Sequence, residues 1–467
     1  MKKRLESYAG IVGDDYIQGI YDLGAYCENK TMAHVNSTYY GGGVAEMLQT
    51  YIPLLNDAGL STEWRSFKGG RDFFNVTKKI HNSLQGMNAP ITKEDIEYYE
   101  NTMDENAQFT NLEWYDLVVI DDPQPCGLVN RYLRKFPYLW KPFPLLLNLS
   151  EIQKKQPWVW RCHIDLTNPN KTTWEFLRNY LEYYDAIVVS SRQYRLPIKK
   201  PHSFIAPAID PLSDKNKEIS DSEIDRQLER YGIDDDMPLL VQVSRFDPWK
   251  DPLGVIGVHR RVQKEMKCRL VLIGSMATDD PEGEKIFNDV FRDVEKERDI
   301  VLITAQNDLL VNALQRRADV VIQKSLREGF GLTVSEAMWK GTPVVASRVG
   351  GIPLQIDDGV NGYLVEGVEQ CAERVSHLLK HKPLAQKLGQ HAKEKVRKNF
   401  LIPRLVKDEI ELFRNTTRPT VTRTLHGGVS SLLKQLEQLT LLPVLRPRFK
   451  QVFRQRKRKP VKPRPLL

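Results

Sequence analysis

Residues 325–340 read SLREGFGLTVSEAMWK, and this stretch decides the fold class. An apolar run, DVVIQ at 319–323, precedes it, and a turn with a second apolar run, GTPVVA at 341–346, follows. Short apolar runs bounded by turn residues, with an amphipathic segment between them, are the pattern of strand, helix and strand in an α/β protein. Gly329 and Gly331 break the chain between strand and helix. Such a break brings backbone N–H groups to a helix N-terminus, where an anion is stabilised by about 0.3–1 kcal/mol. Glu328 and Glu336 lie eight apart, one in the loop and one about a turn inside the helix. Two carboxylates beside an anion-binding turn are unfavourable unless the ligand also offers hydroxyls. A nucleotide sugar offers both.

The same alternation runs outward along the 467 residues. Strand candidates lie at 32–35, 117–121, 158–163 and 186–190, and again at 239–243, 270–273, 300–304, 320–323 and 344–346. Helices fall between them, among them 43–56, 251–267 and 308–317. Each set predicts its own doubly wound parallel sheet, so the fold class is α/β with two Rossmann-like domains. Two prolines in Pro207-Ala208-Ile209-Asp210-Pro211 restrict the backbone and set the boundary, giving domains 1–208 and 209–396. Beyond 416 the composition changes. Val429, Leu432, Leu433, Leu436 and Leu439 form a stripe at helical spacing, and prolines then punctuate a basic run, so 416–467 reads as a flexible appendage.

Charge follows that division. Residues 446–467 hold ten Lys or Arg and no acid, so the net charge of +8 becomes −2 for the other 445 residues. A whole-protein case for nucleic-acid binding therefore fails, and any polyanion contact is confined to the tail. The five cysteines are scattered without Cys-x-x-Cys spacing, which argues against a zinc site and suits a reducing cytoplasm. No run of eighteen apolar residues and no apolar leader are present, so neither a membrane span nor a secretory signal is expected.

Three further segments carry chemistry. In VSRFDPWKDP (243–252), Arg245 and Lys250 flank a turn, and a guanidinium fork with a mobile ammonium suits a diphosphate. Charged hydrogen bonds of this kind contribute about 1.5–3 kcal/mol each. In HVNSTYYGGGVAE (34–46), Gly41, Gly42 and Gly43 open a helix and let backbone approach a ligand, though this is no dinucleotide fingerprint. In WVWRCHID (158–165), polar residues cluster at a strand end, where open α/β sheets bind ligands. His163 is the candidate there. Arg161 and Asp165 are open between binding an acceptor and orienting His163, and Asp122, at the end of the 117–121 strand, is equally ambiguous. Asp279 and Asp280 read as a polar loop rather than a metal site.

Taken with these motifs, the 325–340 segment resembles the donor site of retaining family 4-like glycosyltransferases with two facing Rossmann-like domains, the GT-B fold. Phe74-Asn75-Val76-Thr77-Lys78, residues 160–165, 242–250 and 276–283 narrow the resemblance to trehalose synthases of the glycosyl-transferring type. It implies glucose transfer from a nucleoside diphosphate glucose to free glucose, forming α,α-trehalose without cofactor or bound metal. Fructose, a sugar phosphate or a glucan as acceptor, trehalose phosphorolysis, and a nucleotide-sugar-binding scaffold are the competing readings. On the resemblance, His163, Arg245, Lys250 and Glu328 are catalytic. Gly42, Gly43, Arg245, Lys250, Glu328, Gly329, Phe330, Gly331, Leu332 and Glu336 bind the donor, and Asn36, Asp122, Arg161 and Asp165 face the acceptor. It also implies a helix at 397–415 crossing back to the first domain. A homodimer and the tail's partner are left open.

Overall fold

The computed structural model describes residues 3–39, 42–135, 156–234, 236–274 and 283–417. The first sheet is built from β1 (Thr31–Asn36), β2 (Ser61–Ser66), β3 (Leu117–Asp121), β4 (Trp158–Cys162), β5 (Ala186–Val189) and β6 (His202–Phe204). The second is built from β7 (Leu239–Val243), β8 (Arg269–Gly274), β9 (Ile300–Thr304), β10 (Val320–Gln323), β11 (Val344–Ser347) and β12 (Tyr363–Val365). Every pairing between them is parallel. The orders are β2-β1-β3-β4-β5-β6 and β12-β11-β10-β7-β8-β9. Two doubly wound sheets are therefore present, as the apolar runs predict.

The strands that sequence reading missed are β2, β6 and β12, and all three lie at sheet edges. An edge strand needs less apolar surface. β2 (STEWRS) is mostly exposed or half-buried, and β6 and β12 are three residues each. The helix expected at 251–267 ends earlier, as Pro252–Val262. There the Gln263 amide donates to the Cys268 carbonyl at 2.8 Å and turns the chain into β8.

Central strands bury both faces. In β4, Trp158 and Trp160 enter the core on one side of the sheet and Val159 the core on the other, as a period of two requires. The second core is closed by the last helix, Ile402–Thr417, whose Ile402, Leu405, Val406, Ile410 and Phe413 pack with Met32, Leu117, Val119 and Val159. The chain reaches that helix through a parallel bridge between Ile209 and Leu401. Arg404 then donates to the carbonyls of Ala206 and Pro207 at 2.7 and 3.0 Å.

The strand orders fix where a ligand can bind. In the first sheet the chain runs from β1 outward to β2 and returns to place β3 on β1's other side; β7 and β10 are related in the same way. At such a switch point adjacent loops diverge and leave a crevice at the carboxyl ends of the strands. Gly41, Asp279, Asp280, most of 276–283, the 429–439 stripe and the basic run lie outside the described residues. Among the described residues no helix is long and apolar enough to cross a membrane. The five cysteines are buried and unbridged.

Candidate active site

Loops after β1, β3, β7 and β10 converge on a cavity of about 470 Å³ between the sheets. The loop after β10 packs tightly against the first half: a Cβ on Gly329 would sit 1.8 Å from the His163 carbonyl oxygen, so only glycine fits. Gly331, with φ of 85°, takes the left-handed conformation that starts the helix Leu332–Trp339. Glu328 thus stands in the loop and Glu336 inside the helix, both almost fully buried and both lining the cavity.

The clamp residues meet these acids directly. Lys250 Nζ donates to Glu328 Oε2 at 2.6 Å, and Ser325 Oγ donates to the same oxygen at 3.1 Å. Arg245 lies 3.7 Å from Asp247 Oδ2, and Lys78, reaching across from the first half, lies 3.2 Å from that oxygen. The other Asp247 oxygen accepts from the Trp249 amide at 2.8 Å, and the Trp249 indole donates across the cleft to Asn82 Oδ1 at 3.0 Å. Burial works against the Asp247 carboxylate, but Lys78 and Arg245 hold its pKa down at about 2. Beside them, burial and the Lys78 charge push the His81 imidazole down to about 3, so it is neutral at working pH.

His163 is held by two consecutive aspartates. Its backbone N–H donates to Asp122 Oδ1 at 2.8 Å, and its ring Nε2 lies 3.3 Å from Asp121 Oδ1. Asp121 Oδ2 in turn meets His34 Nδ1 at 2.9 Å. Burial would raise the Asp121 carboxyl, but His34, His163 and Arg161 together hold it well below the usual carboxylate range. An ionised Asp121 favours a proton on the Nε2 that faces it. Asp122 adopts a φ of 69°, uncommon for a non-glycine residue. It is held there because its backbone N–H donates to Arg161 O at 2.7 Å and its carbonyl accepts from the Trp160 indole at 2.9 Å.

Of the residues expected at the site, Asn36, Gly42, Gly43, Asp122, His163, Arg245, Lys250, Glu328, Gly329, Phe330, Gly331, Leu332 and Glu336 line the cavity. Arg161 and Asp165 do not. The Arg161 guanidinium is buried beneath the sheet in an ion pair with Glu409 of the last helix. Asp165 accepts from the Thr167 amide at 2.9 Å and lies 3.7 Å from Arg327. Neither side chain lines the cavity, and both are engaged in these contacts. Sequence reading gave no role to Lys78, His81, Lys215 or Asp247, which also line the cavity. Lys78 and Asp247 fell inside recognised motifs; Lys215 sits in a polar stretch without periodicity, and no signal marked it.

Residues 34–144 and 142–196 match the trehalose synthase N-terminal domain, and residues 223–395 match glycosyl transferases group 1. The trehalose synthase of Pyrococcus horikoshii is 41% identical over 421 residues, covering 89% of this chain and 97% of that protein. The chain belongs to the trehalose synthase family. The Rubrobacter xylanophilus trehalose synthase is 43% identical over 420 residues, 88% of this chain and 96% of that one. Among solved structures, a UDP-forming α,α-trehalose-phosphate synthase from Burkholderia xenovorans superposes with a TM-score of 0.63 at 15% identity, over 84% of this chain and all of that one. This likeness shows the GT-B fold. Together these findings make the protein a trehalose-forming glycosyltransferase, a hexosyltransferase with the cavity between its two sheets.

Proposed function

We propose that this trehalose synthase family member moves glucose from a nucleoside diphosphate glucose to free glucose, with retention, giving α,α-trehalose reversibly. The observation that carries the choice of acceptor is the charge of the cavity. Among the described residues five cationic and six acidic side chains line it, so there the cations are outnumbered by one. A donor diphosphate adds negative charge, and a phosphorylated acceptor would add roughly 1.5–2 charges more. A neutral sugar adds none.

In this reading Arg245, Lys250 and the glycine-opened helix stabilise charge developing on the departing diphosphate, a preorganised electrostatic contribution. Gly42 and Gly43 approach the phosphates from the first half. The bond from the anomeric carbon to the phosphate oxygen breaks as the bond to the acceptor oxygen forms on the same face. The acceptor's proton passes to the leaving phosphate. Glu328, tied to Lys250 and Ser325, accepts hydrogen bonds from the donor sugar rather than attacking it. Glu336 takes the ribose hydroxyls. His163, its tautomer set by Asp121, lies beside the reacting sugar, and Asn36 and Asp122 border the acceptor. Bringing the two halves together positions the acceptor and excludes water. The basic run 446–467 is assigned to contact with a polyanion, which predicts steep salt dependence.

The test is acceptor competition. With a nucleoside diphosphate glucose present, diphosphate release is measured with glucose, glucose 6-phosphate and fructose, and trehalose breakdown is measured with inorganic phosphate. Release with glucose alone is expected. Preference for glucose 6-phosphate, or breakdown that needs only phosphate, would overturn the assignment.

A further inference from the structure

Lys215 lies in the polar segment that follows the Ile209 bridge, in neither strand nor helix. The segment is nonetheless fixed. Asn312 Nδ2 donates to the carbonyls of Asp214 and Lys217 at 2.9 and 2.8 Å, and Asn216 Nδ2 donates to the Asp210 carbonyl at 3.1 Å. This scaffold aims the Lys215 side chain into the cavity, where only 15% of it is exposed.

Three carboxylates from three helices surround its ammonium. Glu46, in the first turn of the helix Gly43–Asp57 of the first half, lies at 2.6 Å; Glu336 lies at 3.8 Å and Asp308, opening the helix Asp308–Arg317, at 3.9 Å. Glu336 has few other partners: its Oε2 lies 3.5 Å from Gln315 Nε2. Burial disfavours the ammonium, yet Glu336, Glu46 and Asp308 outweigh it and hold Lys215 above the ordinary lysine range. Lys215 is thus charged, and the group carries more negative than positive charge, which suits a ligand that donates hydrogen bonds. The vicinal hydroxyls of a ribose do so.

We propose that Lys215 is a positioning residue for the donor's ribose: it sets the Glu336 carboxylate and ties it to Glu46 across the cleft, coupling ribose recognition to the juxtaposition of the two halves. This rests on Glu336 being the ribose ligand. A surface ion pair would contribute only to stability. A positioning residue alters how the enzyme tells one donor from another.

The experiment compares the best nucleoside diphosphate glucose with its 2′,3′-dideoxyribose counterpart, in the wild type and in Lys215→Met and Lys215→Arg. Wild type should prefer the ribose donor by about 10–100-fold in kcat/KM, the range for a hydrogen bond to a charged group. Lys215→Met should raise the ribose donor's KM about tenfold with little change in kcat, and bring the preference to within about threefold, while Lys215→Arg restores most of it. Full preference retained in Lys215→Met overturns the role of Lys215. No preference in the wild type overturns the reading of Glu336 itself, and this inference with it. Should Lys215→Met fail to fold, Glu46→Gln decides: a donor KM raised several-fold with the glucose KM unchanged supports the cross-cleft link, and an unchanged donor KM refutes it.

Discussion

The two halves share one architecture and equip the cavity differently. Both are six-stranded parallel sheets with the crevice at a switch point. The second half contributes charge from short loops: Arg245 and Lys250 after β7, and Glu328 with the helix Leu332–Trp339 after β10. The first half contributes backbone at Gly42 and Gly43, the charges of Glu46 and Lys78, and a histidine whose orientation depends on a buried chain of polar groups. That chain runs from His163 to Asp121 and His34, with Arg161 and Glu409 behind them. A loop clamp concentrates its function in the residues that touch ligand. A buried network distributes it through residues that never do.

The largest expected effect tests the far end of that network. Removing one partner of a buried ion pair costs about 3–5 kcal/mol, because the other charge is left unpaired. Arg161→Met or Glu409→Gln should therefore lower the melting temperature markedly, and Arg161→Met with Glu409→Leu should recover much of the loss. The glucose KM of folded enzyme should be unchanged in each. A raised glucose KM with unaltered stability would place Arg161 at the acceptor instead.

Next in size is the clamp. Lys250→Ala should lower kcat/KM by about a hundredfold or more, since on the proposed reading it removes a charged partner of the leaving group, along with the cation beside Glu328. Thermal stability should fall less than in the Arg161 variants, because Glu328 opens onto the cavity and keeps Ser325 Oγ as a partner. Equal losses of stability in the two variants would erase the distinction between the halves.

Asp121→Asn sharpens the comparison at the point where the network meets the ligand. Loss of the ionised partner frees the His163 tautomer, and kcat should fall about tenfold to a hundredfold. The downfield Nε2–H proton of His163 should disappear from the NMR spectrum, a change that simple destabilisation does not produce. Retention of that signal with full activity would remove Asp121 from the account.

The last test concerns pH. His81 is held at about 3 in the folded protein, below its unfolded value, so the unfolded chain takes up a proton that the fold refuses. Its stabilising contribution is present above the unfolded pKa and is lost as pH falls from about 6.5 toward 3, by at most about 1.4 kcal/mol per unit. His81→Gln should flatten that acid limb in denaturant titrations. An acid limb of unchanged slope would place the loss elsewhere.

How far the sequence carried the reading follows the same division between halves. The central strands were legible because both faces are buried and their residues run apolar; β2, β6 and β12 were not, because edges tolerate polar or very short segments. In the second half, Arg245, Lys250, Glu328 and Glu336 could be read from spacing, since one loop or one helix turn sets their separation. In the first half, Arg161 at the strand end was left open between binding an acceptor and orienting His163. Its partner, Glu409, is 248 residues away, and nothing local signals that pairing. Lys215 was silent for the same reason: its meaning comes from Glu46, Asp308 and Glu336, on three separate helices.

The most direct test of the central claim is proton NMR of the product formed from a nucleoside diphosphate glucose labelled with 13C at the anomeric carbon and unlabelled glucose. Transfer with retention to the anomeric hydroxyl of free glucose predicts a non-reducing disaccharide whose two anomeric protons are both α, with the label on one ring. A β-configured labelled ring, a reducing disaccharide, or no disaccharide from any donor base would contradict it.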